Sequence, residues 1–417
     1  MTTILRGNLL CAPEFGTLKT WPGGSLVLED GVIEGVYPSA PPERYAACPV
    51  TDYGRGLIMP SFADLHLHAP QYPMLGMGMD LPLMDWLSTY TFRTEARFAD
   101  PEYARRVCRQ LARDLITSGT TRVAMFSSCH TAATLILMEE LERAGVTGYV
   151  GKVNMDRDCG PVQEDTVQSV GETLRWLDGC QAFQLVKPII TPRFVPSCTN
   201  ELLAGLGTLA KGRGLPVQSH LSENTGEAAL VARLHPDCAQ YWEVYDKYGL
   251  WKDRTLMAHC VLSDQREQEA IAKAGVWAVH CAASNVNLCS GTAGVRALIS
   301  RGVRVALGSD IAGGDQLAMN RVIAASIRAS KIRQMETGER FLTVPEAYYL
   351  GSSAGHEYFG GGAGFQLGCK LHAIVVDDAR LPEPSRELSL AERFERAIYL
   401  MEKTDIRAVY SEGVNRL

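Results

Sequence analysis

Residues 57–68 read LIMPSFADLHLH, an apolar stretch broken at Pro60 that closes on two histidines spaced i, i+2. On an extended strand this spacing sends the imidazoles of His66 and His68 to the same side, the geometry for two ligands on one metal. Taken alone, a His-x-His pair is more often two hydrogen-bonded core histidines, so its meaning depends on what the rest of the chain brings beside it.

Working outward, the same kind of stretch recurs seven times. TTRVAMFS ends at Ser127, YVGKVNM at Met155, FQLVKPIIT at Thr191, LPVQSH at His220, RTLMAH at His259, GVWAVH at His280 and GVRVALGSD at Asp310. Helical patterns separate them. One is clear: Asp100 is an N-cap, Pro101 takes the first helical position, and Val107, Leu111 and Leu115 recur at four-residue spacing until Gly119. Eight such β/α units over about 280 residues predict an α/β fold, a TIM-like (β/α)₈ barrel over residues 58–360. Before it, SLVLEDGVIEGVYPS (25–39) carries an Asp-Gly hairpin signal, and after Gly360 come FQLG, HAIVVDD and IRAVYSEG. Residues 1–57 and 361–417 are therefore expected to pair into one small discontinuous β-sandwich domain.

In a barrel of this kind the strand ends converge on one face, so His66, His68, His220, His259 and Asp310 would point into one bowl. Imidazole and carboxylate suit Zn²⁺ and also accept Fe²⁺ or Mn²⁺. A divalent ion lowers the pKa of its water from 15.7 towards about 7, which points to hydrolysis. Glu223, in the HLSEN stretch past the fifth strand, is placed to move protons without binding metal. Its plainer reading is an acidic residue complementing the dipole of the next helix.

The segments PSFADLHLHAPQY, DLPLMDWLSTYTFRTEARF, GKVNMD, VKPIITPRFVPSC, VQSHLSEN, MAHCVLS and GSDIAGG together resemble the amidohydrolase superfamily over nearly the whole chain. DLPLMDWL, KPIITPRF and HLSEN resemble its guanine-deaminating branch. The resemblance implies one zinc ion, or Fe²⁺, held by His66, His68, His220 and Asp310. It implies that His259 orients the attacking water and that Glu223 and Asp310 move protons. Gln71, Arg193 and Phe194 would hold the purine, with His220 and Glu223 also at the substrate. In the implied reaction a zinc-activated water attacks C2 of guanine and gives xanthine and ammonia. An edge bearing a carbonyl oxygen and N–H groups suits arginine and amide partners. The alternative within the family is another heteroaromatic substrate: a pterin, 8-oxoguanine, an adenosine derivative or a triazine. A cytoplasmic homodimer acting in purine breakdown is also implied.

Three segments depart from the family pattern. Asp156-Arg157 is followed by Asp158-Cys159-Gly160 rather than Asn and Pro, the seventh strand continues Cys281-Ala282-Ala283-Ser284-Asn285 rather than Cys-Pro-x-Ser-Asn, and Cys369-Lys370-Leu371-His372 replaces an acidic turn. None removes a ligand, but they bear on the shape of the pocket wall and hence on substrate choice.

Other readings are excluded or weaker. A net charge of -6 with no basic tract disfavours nucleic acid and anionic membranes. No apolar run approaches the roughly 20 residues of a membrane span. The twelve cysteines form no C-x-x-C pair, and most are expected to be buried thiols. The H-x-E and P-C-x-x-C signature of the other zinc deaminase fold is missing. GSSAG (351–355) matches a nucleophile elbow but follows no strand. His130 either shapes the pocket or is merely hydrogen-bonded; His235, His356 and His372 are expected to be solvated or structural. Trp86, Tyr90 and Phe92 either line the pocket mouth or pack a helix. A non-catalytic scaffold is disfavoured by the complete ligand set.

Overall fold

Eight short parallel strands alternate with helices: β1 (Phe62–His68), β2 (Thr120–Phe126), β3 (Thr147–Gly151), β4 (Val186–Pro188), β5 (Gln218–Leu221), β6 (Leu256–His259), β7 (Trp277–His280) and β8 (Arg304–Leu307). The computed structural model describes all 417 residues. β1 to β4 form one parallel sheet and β5 to β8 another. Backbone hydrogen bonds bridge the two at both edges. Ile190 N donates to Pro216 O (3.0 Å) and Gln218 N to Ile190 O (2.9 Å); on the other side Asp310 N donates to His66 O (2.8 Å) and His68 N to Ile311 O (3.1 Å). The eight strands form the (β/α)₈ barrel expected for this pattern.

Strands three, four and eight stop earlier than their sequence suggests. β3 and β4 break and resume as the two-residue strands Val153–Asn154 and Thr191–Pro192, which pair with each other. The two strands approach closely at the break: a Cβ on Gly151 would lie 1.7 Å from Thr191 Oγ1. β8 ends at Leu307 because the chain then presses onto β1, where a Cβ on Gly308 would sit 2.7 Å from that of His66. Asp310 thus stands on a loop rather than a strand.

The helix Pro101–Thr117 forms as read. Asp100 Oδ1 accepts from Glu102 N (2.9 Å), Leu111 and Leu115 are fully buried, and Gly119 follows at φ 86°. Val107, at the edge of that stripe, is half-buried.

Both chain ends meet in one seven-stranded sheet, ordered Val414–Asn415, Ile406–Ser411, Ala373–Val376, Val50–Pro60, Thr2–Glu14, Thr17–Glu29, Val32–Tyr37. The hairpin at Asp30-Gly31 has positive φ at both positions, as a type I′ turn requires. The middle strands of this sheet are buried on two sides. Leu57, Met59, Ile374, Val376 and Val409 join the barrel's core, while Ile58, Ala373, Val375, Ala408 and Tyr410 join a separate cluster with Leu5, Leu9 and Leu26. Burial of both faces explains why AIVV is a continuous apolar run rather than an alternating one. Bulges between Gly7 and Leu9 and between Cys11 and Glu14 bend the strand Thr2–Glu14 around that second cluster.

Candidate active site

At the C-terminal ends of the barrel strands, His66, His68, His220 and Asp310 each offer a ligand atom within 4.8 Å of the others, and all four are buried. His66 Nε2 lies 3.1 Å and His68 Nε2 3.4 Å from Asp310 Oδ1, and the Nε2 atoms of His68 and His220 face each other at 3.2 Å. Two ring nitrogens without a proton between them repel unless a cation lies there. His66 Nε2 and His259 Nε2 are buried without any hydrogen-bond partner, an arrangement that costs about 1–3 kcal/mol per group unless something coordinates them. The donor set therefore fits a divalent ion of the zinc type.

The surrounding bonds fix which nitrogen is free. His220 Nδ1 donates to Arg193 O (2.6 Å) and His259 Nδ1 pairs with Asn285 Oδ1 (2.8 Å), so each ring presents its Nε2 lone pair to the centre. Beneath His66, the Asp64 carboxylate accepts from Ser309 N (2.9 Å) and Ser309 Oγ and ties β1 to the Asp310 loop. Ser222 (φ 49°), His259 (φ 75°), Cys260 (φ 49°) and Asp310 (φ 50°) all adopt left-handed backbone, of order 1–3 kcal/mol each, as strained residues at functional sites do.

The two carboxylates of the site are driven apart. Burial, aided by the negative charge of Asp310, pushes Glu223 well above the ordinary carboxylate range and favours its protonated form. Burial acts on Asp310 too, but attraction to the His66 and His68 rings, whose Nε2 atoms lie 3.1 and 3.4 Å from it, outweighs it and holds that group ionised. Burial likewise drives His220 far below the ordinary imidazole range and His68 to about 4, so both stay neutral, as ligands must. Glu223 Oε2 lies 3.4 Å from His259 Nε2.

The helix Thr225–Leu234 is capped by Asn224 and Glu227, whose Oε2 accepts from Glu223 N (2.9 Å). With the helix N-terminus served by Glu227, the Glu223 side chain faces the cavity.

That cavity, about 370 Å³, is lined by His68, Gln71, Arg193, Phe194, His220, Glu223, His259 and Asp310, with an apolar wall of Leu83, Trp86, Leu87 and Leu288. Every residue expected at the site is brought to it, and all of them line the cavity except His66, which is buried among the ligands. Trp86 lines the pocket rather than only packing its helix; Phe92 lies under Arg193, whose guanidinium is 5.2 Å from the ring centroid. The segment that carries them is a helix with a π-turn at Leu87–Thr91, a distortion frequent at functional sites.

Two contributors were not singled out from the sequence. Glu95 Oε2 accepts from Arg193 Nη1 (2.6 Å), and Glu95 Oε1 from Gln71 Nε2 (2.9 Å). Asn285 orients His259. Its segment departs from the family pattern at Ala282, which takes the first position of the helix Ala282–Asn287, where proline or alanine serves equally. The other nearby departure places Cys159 in the apolar cluster with Phe92, Trp86 and Phe194, where burial raises its thiol to about 12. His130 is outside the cavity lining and contacts Ser128. His235, His356 and His372 are buried rather than solvated. In the GSSAG stretch Ser352 donates to Ser61 O and Ser353 to Ala12 O, leaving no free nucleophile. All twelve cysteines are free thiols, eight of them buried. No helix is long and apolar enough to cross a membrane.

Residues 57–414 match the model of the Amidohydrolase family. A guanine deaminase of Dictyostelium discoideum is 32% identical, spanning 98% of this chain and 97% of its own, and that of Homo sapiens is 35% identical over 85% and 82%. The crystal structure of guanine deaminase from C. acetobutylicum with guanine bound in the active site superposes with a TM-score of 0.96 at 41% identity, covering 100% of both chains.

Proposed function

The chain belongs to the amidohydrolase family and its guanine deaminases, and on that premise we infer that the site hydrolyses guanine to xanthine and ammonia. One observation carries this reading: His68, His220 and Asp310, clustered with His66 as possible metal ligands, line the same cavity as a buried, charge-paired arginine.

His66, His68, His220 and Asp310 would hold zinc, which supplies a water acidic enough to attack at neutral pH. Arg193 and Gln71 meet the oxo edge of the purine, and Phe194 with the wall of Leu83, Trp86 and Leu87 holds the ring and excludes water. Glu223, kept protonated by burial, gives its proton to the ring nitrogen beside C2 and, once ionised, takes the proton of the hydroxyl now on C2 and passes it to the departing amine, leaving the C2 carbonyl. Asp310, ionised, accepts a proton from the attacking water, and His259, fixed by Asn285, orients that water. In the same proposal, on the family resemblance, the enzyme is a cytoplasmic homodimer. Residues 1–57 with 361–417 form its small domain and 58–360 its barrel.

Ammonia release over a panel of purines, pterins and triazines, with and without a chelator, tests this. Guanine should be the preferred substrate, with turnover abolished by the chelator and restored by zinc. Faster release from another ring would reassign the substrate, and turnover indifferent to metal removal would overturn the mechanism.

A further inference from the structure

The purine end of the cavity is organised by a residue that does not line it. The guanidinium of Arg193 is buried, with a side-chain exposure of 3%, and its one protein acceptor is the Glu95 carboxylate, itself 1% exposed. The second oxygen of Glu95 takes the amide of Gln71, and Gln71 Oε1 in turn accepts from Ala312 N (3.0 Å), just past the metal ligand Asp310. The backbone carbonyl of Arg193 receives the Nδ1 proton of the ligand His220. A continuous chain of hydrogen bonds thus runs from the Asp310 loop through Gln71, Glu95 and Arg193 to His220, with Glu95 as its only anion. Both Glu95 oxygens are occupied within this chain, so it acts through its neighbours rather than on the ligand.

We propose that Glu95 is the positioning residue that aims Arg193 and Gln71 at the 6-oxo edge of the purine and thereby sets selectivity for oxopurines. This rests on the guanine deaminase reading. Without a carboxylate beside it, a buried guanidinium is an uncompensated charge that turns towards whatever acceptor or water it can reach. With Glu95 in place, one N–H is committed to the pair and the remaining donors are left facing the cavity in a fixed plane. Glu95 also orients the Gln71 amide, because a carboxylate accepts only from the nitrogen end.

The test compares guanine with 2-aminopurine, which carries the same 2-amino group but no 6-oxo group. For Glu95→Gln, kcat/KM on guanine should fall about 10²-fold, chiefly through KM, while 2-aminopurine turnover stays near wild type and bound zinc remains at one per subunit. Glu95→Asp, which keeps the charge, should recover part of the loss. In an Arg193→Gln background, Glu95→Gln should add nothing on guanine, because the two residues act as one unit. Parallel losses on both purines, loss of zinc, or additive effects in the double variant would each overturn the proposal and leave Glu95 a scaffold residue. A wild-type protein that releases no ammonia from guanine would overturn the deaminase reading itself, and this inference with it.

Discussion

The same side chain meets opposite fates at the two ends of this barrel. At the upper end His66 and His259 keep ring nitrogens that no protein group satisfies. At the lower end, where the barrel meets the terminal sheet, His372 is bonded on both sides, to Thr121 Oγ1 (2.9 Å) and Glu412 Oε1 (2.9 Å), and His356 Nε2 donates to Ser61 O (2.9 Å). All four histidines are buried. Burial therefore does not tell these two pairs apart, whereas hydrogen-bond satisfaction does.

The contrast breaks most visibly at the upper end. Glu223→Gln should lower kcat by about 10²- to 10⁴-fold with zinc still bound, as expected for loss of a proton carrier. A variant that keeps its rate would remove Glu223 from the mechanism. Next, Asn285→Ala should cost about 10- to 100-fold in kcat, the usual effect of releasing an orienting partner. If His259 functions unsupported, the rate will not move.

The lower end should answer in stability instead. His372→Gln is expected to leave kcat unchanged and to destabilise the fold by about 1–3 kcal/mol in denaturant titrations, because Thr121 and Glu412 lose a partner. A fall in kcat there would erase the distinction between the ends. The smallest effect is in pH. Burial holds His372 at about 4 in the folded chain, below its unfolded value of 6.5, so the folded state resists protonation. Its stabilisation is complete above 6.5 and is lost as pH falls towards 4, amounting to about 2 kcal/mol by pH 5. Glu412, lowered by its bond to His372, weakens in the same direction at lower pH. Thermal midpoints at pH 7 and 5 should differ, and the difference should shrink in His372→Gln.

The metal ligands were legible because the strands that carry them write their ends into the sequence as apolar runs closing on a histidine or an aspartate. Asp310 was found for the same reason, although it stands past its strand on a left-handed backbone that no pattern announces. Glu95 and Asn285 left no such mark. FRTEARF looks like any amphipathic helix, and Glu95 becomes meaningful only when Arg193, 98 residues later, folds against it. The breaks in β3 and β4 were hidden too, since a close approach at Gly151 depends on the register of another strand.

The strand Val50–Pro60 of the terminal sheet passes into β1 across a single residue, Ser61, whose carbonyl also receives His356 and Ser352. One length of backbone thus anchors the outlying sheet at one end and carries His66 and His68 at the other. Trimming the molecule to its barrel would leave Leu57 to Pro60 without their neighbours on either side. The slack would reach the ligands within a few peptide units, so the catalyst and its appendage form one mechanical part.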